Sequence, residues 1–457
     1  MKSTPVKHGT VTRRDLLKAG LAAAAATPLL GPRIGFGRQA NETLQVASVG
    51  VGNMGWADLT QIAGGKHVRI VALCDVDSNN LGKATKQFPQ AKTYRDYRRM
   101  FDKMGGDIDA VQISTPDHMH GPVALAAMSL GKHVYVQKPL AHNLAELRAM
   151  ADMAAEKKLV TQMGTQIHSH EAYRTAVAMV RAGAIGRVSE VHLWVSHSTW
   201  SGPATGRPDH ADPVPESLAW DLWLGVAPER PYVKEIYHPM KWRSWKDFGA
   251  GTLGDMGCHI FDPVFSALEL RPPTSVISRG PQDYEETYAP DGDITYQFAG
   301  TKHTTDAITC RWTDGHDGSR PEVAKAQLPQ DVSLPSSGSF MVGEQGVMLL
   351  PHYGPLPTFF SDGQPMDIAV ESVGGVNHYH QWTDACRGEG QTSTPFSYSC
   401  PVTEAVLVGT VAGRFHDRPL HWDSQQLRFD DPAATELVHR IYRDGRQLQG
   451  LPGVVAS

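Results

Sequence analysis

The apolar run Leu44 to Val49 breaks at once into Gly50-Val51-Gly52-Asn53-Met54-Gly55, and no other feature restricts so tightly what this chain can fold into. Glycines at this spacing permit a tight turn and let backbone N–H groups approach a pyrophosphate at a helix N-terminus. A glycine fingerprint alone is a weak signal. Here a second apolar run, Val68 to Cys74, ends in Asp75, an acid placed to accept hydrogen bonds from adenosine ribose hydroxyls. The pattern reads as a dinucleotide site using Gly50, Gly52, Asn53, Met54, Gly55 and Asp75. A carboxylate there repels a 2′-phosphate and no arginine directly follows it, so NAD is the expected cofactor, with NADP the alternative.

Further strand-like runs follow at Ala110–Ser114, His133–Gln137 and Leu159–Met163, with helical patterns between them such as Pro122–Leu130 and Leu144–Lys157. Apolar strands alternating with helices predict a parallel sheet covered on both faces, a Rossmann arrangement. From about Arg187 the rhythm becomes strand-rich, in Val188–Val195, Asp293–Phe298, Ala307–Trp312 and Ser339–Leu350, and predicts a largely antiparallel sheet. The stretches Ser201–Pro215 and Thr313–Ser337 read as loops. The fold class is therefore α/β, with a nucleotide-binding Rossmann domain at 41–164 and a C-terminal domain at 165–457 for substrate and oligomer contacts.

Residues 1–40 stand apart from both. Thr12-Arg13-Arg14-Asp15-Leu16-Leu17-Lys18 precedes an Ala-rich run, Ala19–Leu30, that is too short to span a bilayer, and the two together read as a twin-arginine export signal. That route carries folded proteins, so the expectation is a periplasmic or otherwise exported enzyme that leaves the cytoplasm with its nucleotide bound. Gly37-Arg38-Gln39-Ala40 lacks a small residue at the outer recognition position of a cleavage site, which leaves an uncleaved anchor open. Without residues 1–40 the chain has 36 Lys and Arg against 47 Asp and Glu, a balance of −11 that repels nucleic acid and anionic lipid. No later run spans a membrane, and five cysteines without metal spacing read as free thiols.

Three constellations carry the chemistry: Ser114-Thr115-Pro116-Asp117-His118-Met119-His120, Gly131-Lys132-His133-Val134-Tyr135-Val136-Gln137-Lys138-Pro139, and Gly254-Asp255-Met256-Gly257-Cys258-His259. Together they resemble the Gfo/Idh/MocA family of sugar oxidoreductases, and Tyr237 to Gly249 is similar to an exported subgroup of that family. The resemblance implies a Rossmann domain followed by an α/β domain with an open, mainly antiparallel sheet that packs in dimers or tetramers. It implies an active site between the domains, with His259 as base, Lys138 as donor or proton relay, and Asp255 binding substrate hydroxyls or orienting the histidine. It also implies that Pro116 and His120 sit near the nicotinamide and that Thr115 and Lys138 are among the cofactor-binding residues. Asp255 and His259 are four apart at the start of a helical pattern, so they share a face. Where the family usually has Glu-Lys-Pro, this chain has Gln137-Lys138-Pro139, and the loss of a neighbouring carboxylate is expected to make Lys138 a readier proton acceptor.

Trp242, Arg243 and Trp245, with Trp200 and His238, are expected either to form an aromatic and hydrogen-bonding wall for a sugar ring or to pack between domains. The spacings of His118 with His120 and His168 with His170 lack a supporting carboxylate or cysteine cluster, and no metal site is assigned. The first functional expectation is an NAD-dependent oxidoreductase acting on a sugar or glycoside, its bound cofactor recycled in place. A redox-neutral glycosidase that oxidises, eliminates and reduces is the alternative, and a non-catalytic sugar-binding protein the third.

Overall fold

The first apolar run forms β1 (Leu44–Val49), and the glycine turn leads into α1 (Met54–Ala63), whose Gly55, Asp58, Leu59 and Ile62 face inward at the spacing of a helix stripe. This computed structural model describes residues 43–197, 200–315, 320–322, 325 and 327–446, so the expected export signal lies outside the described residues. The alternation continues through β2 (Val68–Cys74), α2 (Ser78–Gln87), β3 (Lys92–Tyr94), α3 (Tyr97–Met104) and β4 (Ala110–Ile113). It closes with α4 (His120–Ser129), β5 (His133–Val136), α5 (Leu144–Lys157) and β6 (Thr161–Met163). All strand pairs are parallel in the order β3-β2-β1-β4-β5-β6. In such a doubly wound sheet the ligand site lies beyond the strands' carboxyl ends, where the order reverses between β1 and β4.

A helix, α6 (Glu171–Arg181), leads to β7 (Val188–Val195), a short α7 (Trp220–Leu224) and the long α8 (Gly251–Leu268). The second sheet is completed by β8 (Ser275–Ser278), β9 (Gly292–Ala299), β10 (Thr304–Asp314), β11 (Ser337–Gly343), β12 (Gly346–Pro351), β13 (Thr358–Ser361) and β14 (Gln364–Pro365), with β15 (Leu420–Asp423) and β16 (Arg428–Phe429) on the far edge. Its pairs are antiparallel except β7 with β10. Ser339–Leu350, a single strand-rich stretch in the sequence, is a hairpin.

One face of this sheet is covered by α8, where Phe261 and Phe265 meet Tyr296, Phe298 and Trp312. On the other face, Leu328 and Leu334 from the segment read as loop pack with Trp194, Phe340 and Leu349. Helices α9 (His378–Cys386) and α10 (Phe396–Ala412) follow. α9 returns to the first sheet, where fully buried Trp382 joins Leu44, Val46, Ile62 and Tyr135.

Candidate active site

A cavity of about 580 Å³ opens at the carboxyl ends of β1, β2 and β4, its wall extending from the glycine turn to α8. Gly50 sits at φ +81°, and a Cβ there would lie 2.5 Å from the carbonyl oxygen of Ser114, so the turn requires glycine. Gly52, Asn53 and Met54 line the cavity, as do Thr115, Pro116, His120 and Lys138. Gly55 does not line it. A Cβ at Gly55 would stand 2.1 Å from the carbonyl oxygen of Gly50, which corrects its expected role from nucleotide contact to close packing of helix on turn.

Asp75 Oδ2 accepts the Val51 N–H at 2.9 Å and Oδ1 accepts the Asp77 N–H at 2.9 Å, so the acid pins the glycine turn while forming part of the cavity wall. The glycine cradle with an acid at the next strand end fits a dinucleotide. Arg95, Arg98 and Arg446 also reach this wall, which the spacing after Asp75 does not signal. Arg95 donates to Val76 O, Arg98 pairs with Asp96 at 2.8 Å, and Arg446 pairs with Asp221.

At the other end, Lys138 Nζ donates to Asp255 Oδ1 at 2.6 Å and to its carbonyl oxygen at 2.7 Å. Trp200 Nε1 donates to Asp255 Oδ2 at 2.7 Å, and Arg243, 3.3 Å from Oδ1, stacks on Trp242 with its guanidinium carbon 4.2 Å from the ring centre. Burial works to raise the Asp255 pKa, but the charges of Lys138 and Arg243 and the bonds from Lys138 and Trp200 outweigh it and hold the carboxyl well below the usual range. Buried His259 is one turn further along α8, and its Nδ1 lies 3.2 Å from Thr165 Oγ1. Burial, then the positive charge of Lys138, push its pKa well down, so the imidazole is neutral.

Three expectations change. Lys138 is not short of negative charge, because Asp255 supplies the carboxylate that the motif lacks at position 137. Asp255 does not orient His259; Thr165 does, and nothing in the spacing pointed to it. Trp242 and Arg243 line the cavity, whereas Trp245 does not: it is 2 % exposed, donates Nε1 to Ile236 O and packs edge-on against Tyr237. A side chain enclosed by its own aromatic cluster has no face left for a ligand.

Asp117 and Tyr353 are further wall residues whose roles no sequence pattern signals. Burial pushes the Asp117 carboxyl up to about 7 against the pull of Arg243 and Lys138. His120 bridges Pro139 O at 2.7 Å and Thr115 O at 2.8 Å, locking the two motif loops together. His118 meets Trp223 O and His168 meets Asp262, so the paired histidines turn to separate partners.

A family model for the NAD-binding Rossmann fold of the Gfo/Idh/MocA oxidoreductases matches residues 44–165, and one for their C-terminal alpha/beta domain matches 179–306. A levoglucosan dehydrogenase of Pseudarthrobacter phenanthrenivorans is 29 % identical over 181 residues, 39 % of this chain and 37 % of that one. An alpha-N-acetylgalactosaminidase of Shewanella oneidensis is 29 % identical over 193 residues, 40 % of this chain and 42 % of that one. The chain thus spans about two fifths of the length of these curated relatives. Among solved structures, an aldose-aldose oxidoreductase of Caulobacter crescentus superposes with a TM-score of 0.57 at 16 % identity, covering 83 % of this chain and 100 % of that one. A levoglucosan dehydrogenase in complex with NADH and levoglucosan gives 0.58 at 17 % identity, covering 83 % and 99 %. At these identities the solved structures establish the fold.

Proposed function

This chain belongs to the Gfo/Idh/MocA oxidoreductases with an NAD-binding Rossmann domain, and from that premise we propose that it oxidises a hydroxyl-bearing carbon of a sugar or glycoside. The observation that carries the reading is the 2.6 Å contact of Lys138 with Asp255 in the same cavity as His259 and the glycine turn. In the tautomer whose Nδ1–H donates to Thr165 Oγ1, 3.2 Å away, neutral His259 presents Nε2 to accept the hydroxyl proton. Bound NAD supplies the acceptor for the departing hydride. The Lys138 ammonium has three N–H donors; two go to Asp255, and the third serves the substrate oxygen as negative charge develops on it. Trp242 and Arg243 offer the sugar an apolar face and a donor edge. Asp75, with the nearby arginines already bonded to protein groups, favours NAD over NADP.

The nucleotide is held tightly and recycled, in keeping with export of a folded protein. Support comes from the segment that crosses the cofactor end: Ser78 N–H donates to Ser217 O at 2.9 Å, Ala219 N–H to Val76 O at 2.9 Å, and His238 lies 3.2 Å from Asp77. Likeness to the Shewanella oneidensis alpha-N-acetylgalactosaminidase favours a second reading, glycoside cleavage by oxidation, elimination and reduction with no net redox change.

One experiment separates these readings. Protein purified from its native compartment is denatured and the released nucleotide identified; intact protein is then incubated with a glycoside panel while nucleotide absorbance and products are followed. A lasting absorbance change supports the oxidoreductase, cleavage without net change supports the glycosidase, and failure to take up any nucleotide overturns both.

A further inference from the structure

Asp58 on α1 is fully buried and has no cationic partner among the contacts its carboxylate makes. It is held instead by four neutral donors far apart in the chain: Ser114 Oγ at 2.6 Å, Gln137 Nε2 at 2.8 Å, Tyr379 OH at 3.1 Å and Gln166 Nε2 at 3.3 Å. Three of these donors have a tie to the site, and the fourth comes from the C-terminal part of the chain. Ser114 stands over the glycine turn, Gln137 precedes Lys138, Gln166 lines the cavity beside Thr165, and Tyr379 comes from α9.

The Gln137 amide has no freedom to turn over. Its Nε2 faces an acceptor-only carboxylate, its Oε1 accepts the Lys138 N–H at 3.4 Å, and the side chain lies so close over Gly164 that a Cβ there would be 2.7 Å from Nε2. A glutamate at 137 would set a second buried carboxyl against Asp58, already pushed up to about 6 by burial, where the structure has 2.8 Å between donor and acceptor, so the pair would have to take up a proton.

We infer that Asp58 is a positioning residue for Lys138, and that Gln137 is the amide partner through which it acts. Asp58 acts through Gln137 and Ser114 on the backbone that carries Lys138 and the glycine turn, without touching the substrate.

The test is a double-variant cycle, and its activity arm rests on the oxidoreductase reading above. Gln137→Glu alone is expected to lower the melting temperature and reduce kcat at least tenfold. Asp58→Asn alone reduces kcat several-fold with little change in KM for the sugar or Kd for NAD. In Gln137→Glu/Asp58→Asn, donor and acceptor change places, and melting temperature and kcat both return to within about threefold or a few degrees of wild type. Should Gln137→Glu fail to fold, recovery of a folded double variant still decides the matter. A double variant no more stable than the worse single, or Gln137→Glu indistinguishable from wild type, overturns the pairing. Recovered stability with kcat still as low as in Gln137→Glu overturns the positioning role. If wild type turns over no member of the glycoside panel, the oxidoreductase reading fails while the stability cycle still tests the pair.

Discussion

At position 259 burial and the neighbouring ammonium both disfavour the imidazolium, so the imidazole is neutral, as the role of base proposed for it requires. Replacing it with alanine should lower turnover by roughly 10²–10⁴-fold, the usual contribution of a positioned base, while the nucleotide Kd stays near wild type because the glycine turn is elsewhere. Turnover within threefold of wild type would assign the base to another group, with Asp117 the first to examine. Asp75→Ser should narrow the preference for NAD over NADP by about 1–3 kcal/mol. Because Asp75 also accepts the Val51 and Asp77 N–H groups, affinity for NAD should fall too; isothermal titration with both nucleotides measures the two effects. Lys138, Asp255 and His259 were legible as residues from their motifs. Their partners were not: Thr165 and Asp58 are a hydroxyl and an acid of ordinary local sequence, and only the fold brings them to 3.2 Å from His259 and 2.8 Å from Gln137.

Among elements, β10 ends in a buried acid remote from the catalytic group. Burial pushes the Asp314 carboxyl up to about 7, against the bond it accepts from Trp312 Nε1 at 2.6 Å. A carboxyl whose folded pKa lies above its unfolded one keeps its proton longer in the folded state, so stability falls as pH rises from about 4 to about 7 and then levels. Asp314→Asn should flatten this decline, gaining on the order of 2 kcal/mol relative to wild type at pH 8 compared with pH 5. Thermal melts at both values test it, and equal slopes for the two proteins would show that Asp314 ionises freely. The strands and helices of the first half follow their sequence periods closely: Val68–Cys74 and Leu144–Lys157 form the elements read for them. Trp245 shows the limit of such reading. An aromatic, basic stretch looks alike whether it faces a ligand or its own cluster, and its packing against Tyr237 settles which.

Over the whole molecule, the C-terminal part reaches back to complete the first core. Trp382, fully buried against the parallel sheet, should cost roughly 3–5 kcal/mol when truncated to alanine and should weaken nucleotide binding as well as lower the melting temperature. Unchanged nucleotide affinity in a destabilised Trp382→Ala would show that α9 is an appendage to the cofactor domain. The sequence by itself determined the parallel sheet, the glycine turn and the identity of the catalytic candidates, because these depend on local period, on backbone freedom at Gly50 and on short motifs. The tertiary structure alone decided which strands pair in the second sheet, what covers its outer face, and which carboxylate meets Lys138. Those outcomes depend on contacts between residues far apart in the chain, such as Asp58 with Tyr379, and no local pattern encodes them.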